Sequence, residues 1–285
     1  MKQINNIMTK IEDHNRQKKA AVINDFCSFG RCSLAVTIPI LAAMKIQCCS
    51  VPTSLFTNHT GYDSFAWTDY TSHMDDYIVE WKKLDLHFSA IATGFLGSSL
   101  QIDFVNRFIK AFHDKETLVV VDPVMGDYGE LYPTYSRELA ESMRDLMDVA
   151  DILTPNLTEA CVLAEQQYDS NVSDKSLTDL CMKLTSRHAS KVVISGIPRG
   201  NDLINVVYER GNEIKYIPEK KIGEDRSGTG DVFSSVILGD AINGVPFEKS
   251  VQHASAFVAK AVARTVEMGL PEKDGLAIEE ILKEI

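Results

Sequence analysis

Short runs of consecutive apolar residues alternate with longer stretches of helical periodicity along most of the chain. The runs of β type occupy 20–24, 46–52, 89–94, 117–123, 151–156 and 191–196. Helical patterns lie between them at 33–44, 100–113, 136–150 and 157–166, and two longer ones cover roughly 229–243 and 247–266. Runs such as LVVV and KVVI, apolar on both faces, are typical of buried parallel strands. The alternation predicts a three-layer α/β fold with a central, mostly parallel sheet flanked by helices.

Two segments depart from simple alternation. The runs LINVVYE and EIKYIP, separated by RGN within 203–217, predict an antiparallel hairpin. Pro39 falls inside the helical pattern of 33–44, where we expect it to bend the helix or to lie near its start. Since no Pro-, Gly- or Ser-rich linker divides the chain, we expect one domain over 20–285, preceded by a polar extension at 1–19.

Composition and charge restrict the classes of partner. The 285 residues are 45% hydrophobic, and the formal net charge of −11 disfavours nucleic acid and anionic membranes as partners. The longest apolar stretch, at 34–44, contains a proline and is too short to span a bilayer, and the first nineteen residues lack a signal-peptide core. We therefore expect a cytoplasmic protein. The six cysteines form no C-x-x-C pair, which argues against a zinc site or a disulfide framework.

Polar motifs cluster at the ends of the predicted strands. In open α/β sheets, ligands bind at the carboxyl ends of the strands. The residues at these ends are Asn24 and Asp25, Gly94, Asp122, Thr154 to Asn156, and Ser195 and Gly196. The sequence therefore predicts a ligand site at one edge of the sheet.

The segment RSGTGDVFSSVIL places two glycines and an aspartate at the entrance of a predicted helix. Gly228 and Gly230 would be costly within a helix, whereas at its start the unpaired N–H groups can bind an anion. Asp231 would then be either a helix cap or a base beside a phosphate. A P-loop, a dinucleotide fingerprint and the protein-kinase motifs are absent from the sequence.

Two further motifs suit phosphate and metal chemistry. Asp122 and Asp127, in DPVMGD, follow a strand and suit Mg²⁺ held partly through water and phosphates, although Asp122 could equally be a turn residue before proline. In TPNLTEA, Glu159 could hold a metal-bound water or could form a capping box with Thr154 or Asn156. Taken together, the motifs favour metal-assisted phosphoryl transfer.

These motifs carry a family resemblance. GTGD, DPVMGD and TPNLTEA, in their order and spacing, resemble the ribokinase-like superfamily. The segment 23–65, and TNHTGY within it, is similar to pyridoxal/pyridoxine kinases. The resemblance implies a homodimeric kinase that uses ATP and Mg²⁺, with a monovalent cation such as K⁺ as a further candidate, to phosphorylate the 5′-hydroxymethyl group of a vitamin B6 vitamer.

The resemblance also implies roles for individual residues. Asp231 would be the base, and Gly228, Thr229 and Gly230 would form the anion hole. Asp122, Asn156 and Glu159 would surround Mg²⁺ and the ATP phosphates, with Asp122 and Glu159 as the metal residues. The remaining nucleotide-binding positions would be Asp127, Tyr132, Thr154 and Ser195, and the vitamer would be bound by Asp25, Phe56, His59 and Thr60.

One position departs from the family, and two other functions stay open. Many members have a serine where Asp25 stands, so the preferred vitamer is an open question. The first alternative is a hydroxymethylpyrimidine kinase, although such relatives often have cysteine at the position of Asp231. The second is a non-catalytic pyridoxal-binding protein. Lys220, Lys221 and Arg226 could offset the acidic surface near the motif or could simply be solvated.

Overall fold

A central sheet organises the computed structural model, which describes residues 13–285. The strands of the central sheet are β1 (Lys19–Cys27), β2 (Gln47–Phe56), β3 (Trp67–Asp69), β4 (Ala90–Thr93), β5 (Leu118–Val121), β8 (Ile152–Leu153), β9 (Lys191–Arg199), β10 (Asp202–Glu209) and β11 (Lys215–Glu219). Two further strands, β6 (Gly126–Asp127) and β7 (Glu130–Leu131), form a separate two-stranded ribbon. The α-helices are α1 (Leu34–Ala43), α2 (Thr71–Lys83), α3 (Ser99–Phe112), α4 (Arg137–Ser142), α5 (Leu157–Leu163), α6 (Asp174–Leu184), α7 (Thr229–Ile242) and α8 (Phe247–Glu267).

The sheet is mostly parallel, and its strand order is β11-β10-β9-β8-β5-β4-β1-β2-β3. The pairs from β9 through β2 are parallel, whereas β10, β11 and β3 pair antiparallel at the two edges. Successive residues of β1 point to opposite faces, so that Ala21 and Ile23 pack on one apolar cluster and Ala20 and Val22 on another. The first cluster includes residues of α3, α5 and α6, and the second includes residues of α1, α7 and α8. The predicted three-layer α/β fold is confirmed.

One expectation about a helix was wrong, and one of the two alternatives for Pro39 is excluded. The pattern of 136–150 forms α4 and then a 3₁₀ helix, Met143–Asp148, in which Met143, Leu146 and Met147 are buried. Pro39 lies at the sixth residue of α1, inside the helix rather than near its start. Helices α2 and α6 and the edge strand β3 were not predicted. In α2 the apolar signal is weak, because Met74 is its buried residue and most of the others are polar.

The amino-terminal segment that is described contacts the domain. Asn15 donates to the carbonyl of Asp85 (2.8 Å), and Lys18 Nζ donates to the carbonyl of Ile242 (3.0 Å). The rest of the predicted polar extension, 1–12, lies outside the described residues, and the division of the chain at residue 20 stays a prediction. Within 13–285, no helix is long and apolar enough to cross a membrane. The six cysteines are all free, and four are buried.

Candidate active site

The GTGD motif forms the amino terminus of α7. Gly228 is the residue before the helix and adopts a left-handed conformation with φ of 78°. A Cβ at this position would lie 1.9 Å from the carbonyl oxygen of Arg31, so the backbone requires glycine. Gly230 differs, because a Cβ there would meet no atom within 4 Å. The protein therefore leaves open space beside the unpaired N–H groups of the first turn, where an anion can bind.

Asp231 is not the cap of this helix. The structure shows no side-chain capping bond at the start of α7, and Asp231 contacts Asn24, within β1, instead. Asn24 Nδ2 donates to Asp231 Oδ1 (3.3 Å), while Asn24 Oδ1 accepts from the backbone N–H of Phe95 (2.8 Å). A Cβ at Gly94 would lie 2.5 Å from the Asn24 side chain, so Gly94 makes room for it. The Asp231 carboxylate is thus held by Asn24 of β1 and by the backbone N–H of Ser33.

Three carboxyl groups come together around this helix start. Burial raises the pKa of Asp231, against the lowering effect of the Ser33 backbone, the Asn24 amide and His59. Burial also raises the pKa of Asp25 to about 7 and raises that of Asp122, and in both cases the negative charge of Asp231 adds to the effect. A raised pKa moves a carboxylate toward the range in which it can exchange protons at neutral pH. The environment therefore suits Asp231 for proton transfer.

Asn156 and Glu159 form a capping box at the start of α5. Asn156 Oδ1 accepts from the backbone N–H of Glu159 (3.0 Å), and Glu159 Oε2 accepts from the backbone N–H of Asn156 (2.9 Å). The same side chains reach the DPVMGD segment, since Glu159 Oε1 accepts from Met125 N–H (3.1 Å) and Asn156 Nδ2 donates to the Gly126 carbonyl (2.8 Å). The capping-box interpretation is confirmed, with Asn156 as the cap, and the box joins two of the predicted motifs.

The donors near Asp122 suit a hard cation. The Thr154 hydroxyl is buried without a hydrogen-bond partner, and it lies close enough to Asp122 to lower the pKa of that carboxyl. Among residues 13–285, no group of three or more His, Cys, Asp or Glu side chains could hold a metal ion by itself. Oxygen donors that are too few for a complete shell fit Mg²⁺ that also binds water and phosphates.

A cavity of about 390 Å³ contains the predicted catalytic and nucleotide-binding residues. Its lining includes Asp122, Asp127, Tyr132, Thr154, Asn156, Glu159, Ser195, Gly228, Thr229, Gly230 and Asp231. The sequence motifs therefore meet in one space, as their positions at strand ends predicted. Residues that sequence reasoning did not assign also line it, namely Tyr128, Tyr168, Leu203, Asn205, Glu219, Phe233, Val258 and Val262.

The basic side chains of the cavity lie on the loop before GTGD. They are Lys220, Lys221 and Arg226. Arg226 donates to the carbonyls of Leu270 (3.1 Å) and Pro271 (3.0 Å), while Lys221 lies 3.4 Å from Asp225. Arg226 is therefore anchored at the rim of the cavity and is not merely a solvated charge.

The predicted vitamer-binding residues lie outside that cavity, on the β1–β2 side of Asp231. Phe56 is buried and stacks on Trp67, with ring centroids 5.6 Å apart. Thr60 is only partly buried. Asp25 is buried beside Asp231. The structure thus separates these residues from the nucleotide-binding set.

His59 is fixed at both ring nitrogens. Its Nδ1 accepts from the backbone N–H of Gly61 (3.0 Å), so the proton is assigned to Nε2, which donates to the carbonyl of Lys273 (2.6 Å). The ring also packs against Gly30, where a Cβ would lie 2.5 Å from it.

Comparison with known proteins identifies the family. Residues 38–275 match the phosphomethylpyrimidine kinase family, and the chain belongs to it. The pyridoxal kinase of Arabidopsis thaliana is 30% identical over 195 residues, which are 65% of this chain and 61% of that protein, so the chain spans less than two thirds of that relative.

Solved structures of other proteins have the same fold over almost the whole chain. A Bacteroides thetaiotaomicron protein solved with pyridoxal is 35% identical, with a TM-score of 0.91 over 94% of this chain and 96% of that one. The pyridoxal kinase of Lactobacillus plantarum is 27% identical, with a TM-score of 0.86 over 94% and 96%. The predicted membership of the ribokinase-like superfamily, and the prediction that the chain is a kinase, are confirmed.

Proposed function

We propose that this member of the phosphomethylpyrimidine kinase family transfers the γ-phosphoryl group of ATP to the 5′-hydroxymethyl group of a vitamin B6 vitamer. The observation that carries the proposal is the position of Asp231. It lines the cavity that contains the nucleotide-binding motifs, and its charge acts on Asp25, a predicted vitamer-binding residue outside that cavity. A carboxylate between a phosphate site and an alcohol site is the arrangement that transfer to an alcohol requires. The pyridoxal bound by the similar Bacteroides protein supports the choice of alcohol.

The proton and the phosphoryl group move in opposite directions at this point. Asp231 Oδ2 accepts the proton of the 5′-hydroxyl while the hydroxyl oxygen forms a bond to the γ-phosphorus. The bond between the γ-phosphorus and the bridging oxygen breaks, ADP leaves, and Asp231 returns the proton to solvent. Asn24 keeps the carboxylate oriented through Oδ1. The N–H groups at Gly228, Thr229 and Gly230 stabilise the charge that the moving phosphoryl carries.

The nucleotide is bound by the loops at the ends of β5, β8 and β9. Asp127, Tyr132, Asn156 and Ser195 line the cavity beside it. Asp122 and Thr154 would hold Mg²⁺ with the help of water and phosphates, and K⁺ is a further candidate at these oxygen donors. Mg²⁺ supplies neutralisation of the phosphate charge. Glu159 acts on this site from its capping box, by orienting Asn156 and the backbone at Met125.

The vitamer is bound on the other side of Asp231. Phe56 and the TNHTGY segment, with His59 and Thr60, contact the pyridine ring, and Asp25 faces its polar groups. Since the pKa of Asp25 is about 7, this group can either donate to the ring nitrogen or accept from it near neutral pH.

A dimer and a cytoplasmic location complete the proposal. The edge strand β3 is exposed, and large apolar side chains at this edge, Leu55, Phe65 and Trp67, are 39–45% exposed. Such a patch favours contact with a second copy of the chain. Light scattering of the purified protein would give twice the monomer mass of 31.7 kDa if the homodimer forms.

A panel of substrates tests the function. ATP turnover with Mg²⁺ is measured against pyridoxal, pyridoxine, pyridoxamine and hydroxymethylpyrimidine, and products are identified by mass. A 5′-phosphorylated vitamer is the expected result, and the ranking shows what Asp25 selects.

The family match keeps hydroxymethylpyrimidine kinase as a second candidate. Turnover of hydroxymethylpyrimidine alone would establish that candidate and reject the first. Tight binding of pyridoxal without turnover of any compound would instead make the chain a non-catalytic binding protein.

A further inference from the structure

A carboxylate in the cavity wall is held in place by buried polar groups. Glu219, on β11, lines the cavity, and its Oε2 accepts from Asn205 Nδ2 (3.0 Å). Asn205 is 1% exposed and also donates to Ser255 Oγ (2.8 Å), while its Oδ1 accepts from the backbone N–H of Gly196 (2.9 Å). Ser255 in turn donates to the carbonyl of Val251 (2.8 Å). Three elements, β9, β10 and α8, therefore fix the orientation of one carboxylate.

This carboxylate has unused hydrogen-bonding capacity. In the part of the chain that the structure describes, Glu219 Oε1 has no donor, whereas Oε2 has one. Burial raises the pKa of Glu219, so the site disfavours the charge that it holds. A fixed, partly desolvated acceptor that faces a cavity is a feature for which a ligand is the expected partner.

The position of Glu219 indicates which part of a nucleotide it meets. Asp122 and the GTGD helix start mark the phosphate end of the cavity. Strand β11 is four strands away from β5, or roughly 19 Å at the usual strand spacing. Apolar side chains line the cavity near α7 and α8, namely Phe233, Val258 and Val262. A nucleoside triphosphate with its phosphates at Asp122 therefore directs its sugar and base toward Glu219.

We propose that Glu219 accepts a hydrogen bond from the nucleoside of ATP and so selects the nucleotide. The inference rests on the proposed use of ATP at this site. The donor is a ribose hydroxyl or the amino group of adenine, both of which pair well with a carboxylate. Phosphate is excluded as the partner, because two negative charges would repel each other. A base with a carbonyl oxygen at the place of the amino group is disfavoured, because two hydrogen-bond acceptors would then face each other.

The variant Glu219→Gln tests the proposal. The glutamine oxygen can keep the bond from Asn205, and its NH₂ group then replaces the free acceptor Oε1 with a donor. We expect the KM for ATP to rise about 10- to 100-fold, the loss of one hydrogen bond to a charged group, with kcat nearly unchanged. Glu213→Gln is the matched control, since it removes the same charge from an exposed position of the same hairpin and should change neither constant.

A nucleotide panel separates the two donors. If the ribose is the donor, wild type binds 2′- or 3′-deoxy-ATP more weakly than ATP, and Glu219→Gln removes that difference. If the amino group is the donor, wild type prefers ATP to GTP, and the variant narrows that preference. An unchanged KM for every nucleotide, or a fall in kcat alone, would overturn the proposal.

Two further measurements keep the result interpretable. The melting temperature without nucleotide shows whether Glu219→Gln folds. If that variant unfolds, Glu219→Asp takes its place as the test, because it keeps the charge on a shorter side chain. We expect its KM for ATP to lie between those of wild type and a variant without the charge. Calorimetric titration with ADP measures binding without turnover. If wild type phosphorylates no vitamer but its ADP affinity depends on Glu219, the proposed function fails and this inference stands.

Discussion

Replacement of Asp231 with asparagine tests the centre of the proposed reaction. In wild type, Asn24 Nδ2 donates to Asp231 Oδ1 (3.3 Å), and no side chain within residues 13–285 donates to Oδ2. In Asp231→Asn, the bond from Asn24 orients the new amide oxygen toward Asn24. The NH₂ group then occupies the place of Oδ2, so a donor faces the substrate hydroxyl where an acceptor is needed. The helix start keeps its geometry, because Asp231 does not cap it.

The size of the effect follows from the role of a general base. Loss of a positioned base lowers kcat about 10²- to 10⁴-fold, which corresponds to about 2.7–5.5 kcal/mol of activation free energy. We expect the KM for ATP to change little, because the backbone donors and the cavity lining stay in place. In wild type, activity should fall as the pH falls through the pKa of Asp231, which burial raises above the ordinary value for an aspartate. The variant should lose this acidic limb.

The assay is ATP-dependent formation of the 5′-phosphorylated vitamer, measured from pH 5 to 9. The control is Asp103→Asn, which removes an exposed carboxylate on α3 and should leave the rate unchanged. If Asp231→Asn kept a rate near that of wild type, Asp231 would not be the base. A large rise in the KM for ATP at constant kcat would instead assign it a binding role.

Three other changes test separate parts of the site. Gly228→Ala should lower the melting temperature, because its Cβ would lie 1.9 Å from the Arg31 carbonyl oxygen. Gly230→Ala should keep the melting temperature and still lose turnover, because its methyl group enters the space for the phosphoryl group. Equal melting temperatures of the two variants would refute this contrast. The pKa of Asp25 is raised from 3.8 to about 7, so its contribution to stability is full below pH 3.8 and is lost as the pH rises to about 7. Asp25→Asn removes this loss and should gain up to about 4 kcal/mol relative to wild type between pH 4 and 8, measured by urea unfolding without metal; a pH-independent difference would contradict the assignment. Removal of Mg²⁺ with EDTA should abolish turnover without lowering the melting temperature of the nucleotide-free protein, because no protein-only metal cluster exists within 13–285; a lower melting temperature would show a structural metal.

The sequence predicted the central strands because they are apolar on both faces. The runs at 117–123 and 191–196 became β5 and β9. Asp122 follows β5 as predicted, but Ser195 and Gly196 lie inside β9, which continues to Arg199, so their predicted place at the end of the strand was wrong. Helix α2 was missed because it lies on the surface with mainly polar residues, so that its periodicity is faint. The break of 136–150 into two helices was also beyond the sequence, because both helix types there bury the same apolar residues.

The phosphate end of the site was predictable for a different reason. Each of its motifs ends a strand or begins a helix, and parallel strands bring such ends together at one edge. The nucleoside end lacks that regularity. Glu219 lies within a hairpin whose sequence shows only alternation, and its partner Asn205 comes from the neighbouring strand. Val258 and Val262 belong to α8, where they have the same pattern as core residues. Only the folded arrangement identifies them as a cavity wall.

The two helix starts at the site show when a structural and a functional interpretation compete. At α5, Asn156 and Glu159 form the capping box and also line the cavity. Both residues can therefore cap the helix and bind a ligand. At α7, Gly228 takes the position before the helix and has no side chain with which to cap. The N–H groups of that first turn consequently stay free for a ligand, and the carboxylate three residues on is held by the sheet instead of by its own helix. The absence of a capping side chain at α7 is therefore what leaves both an anion site and a base in one turn.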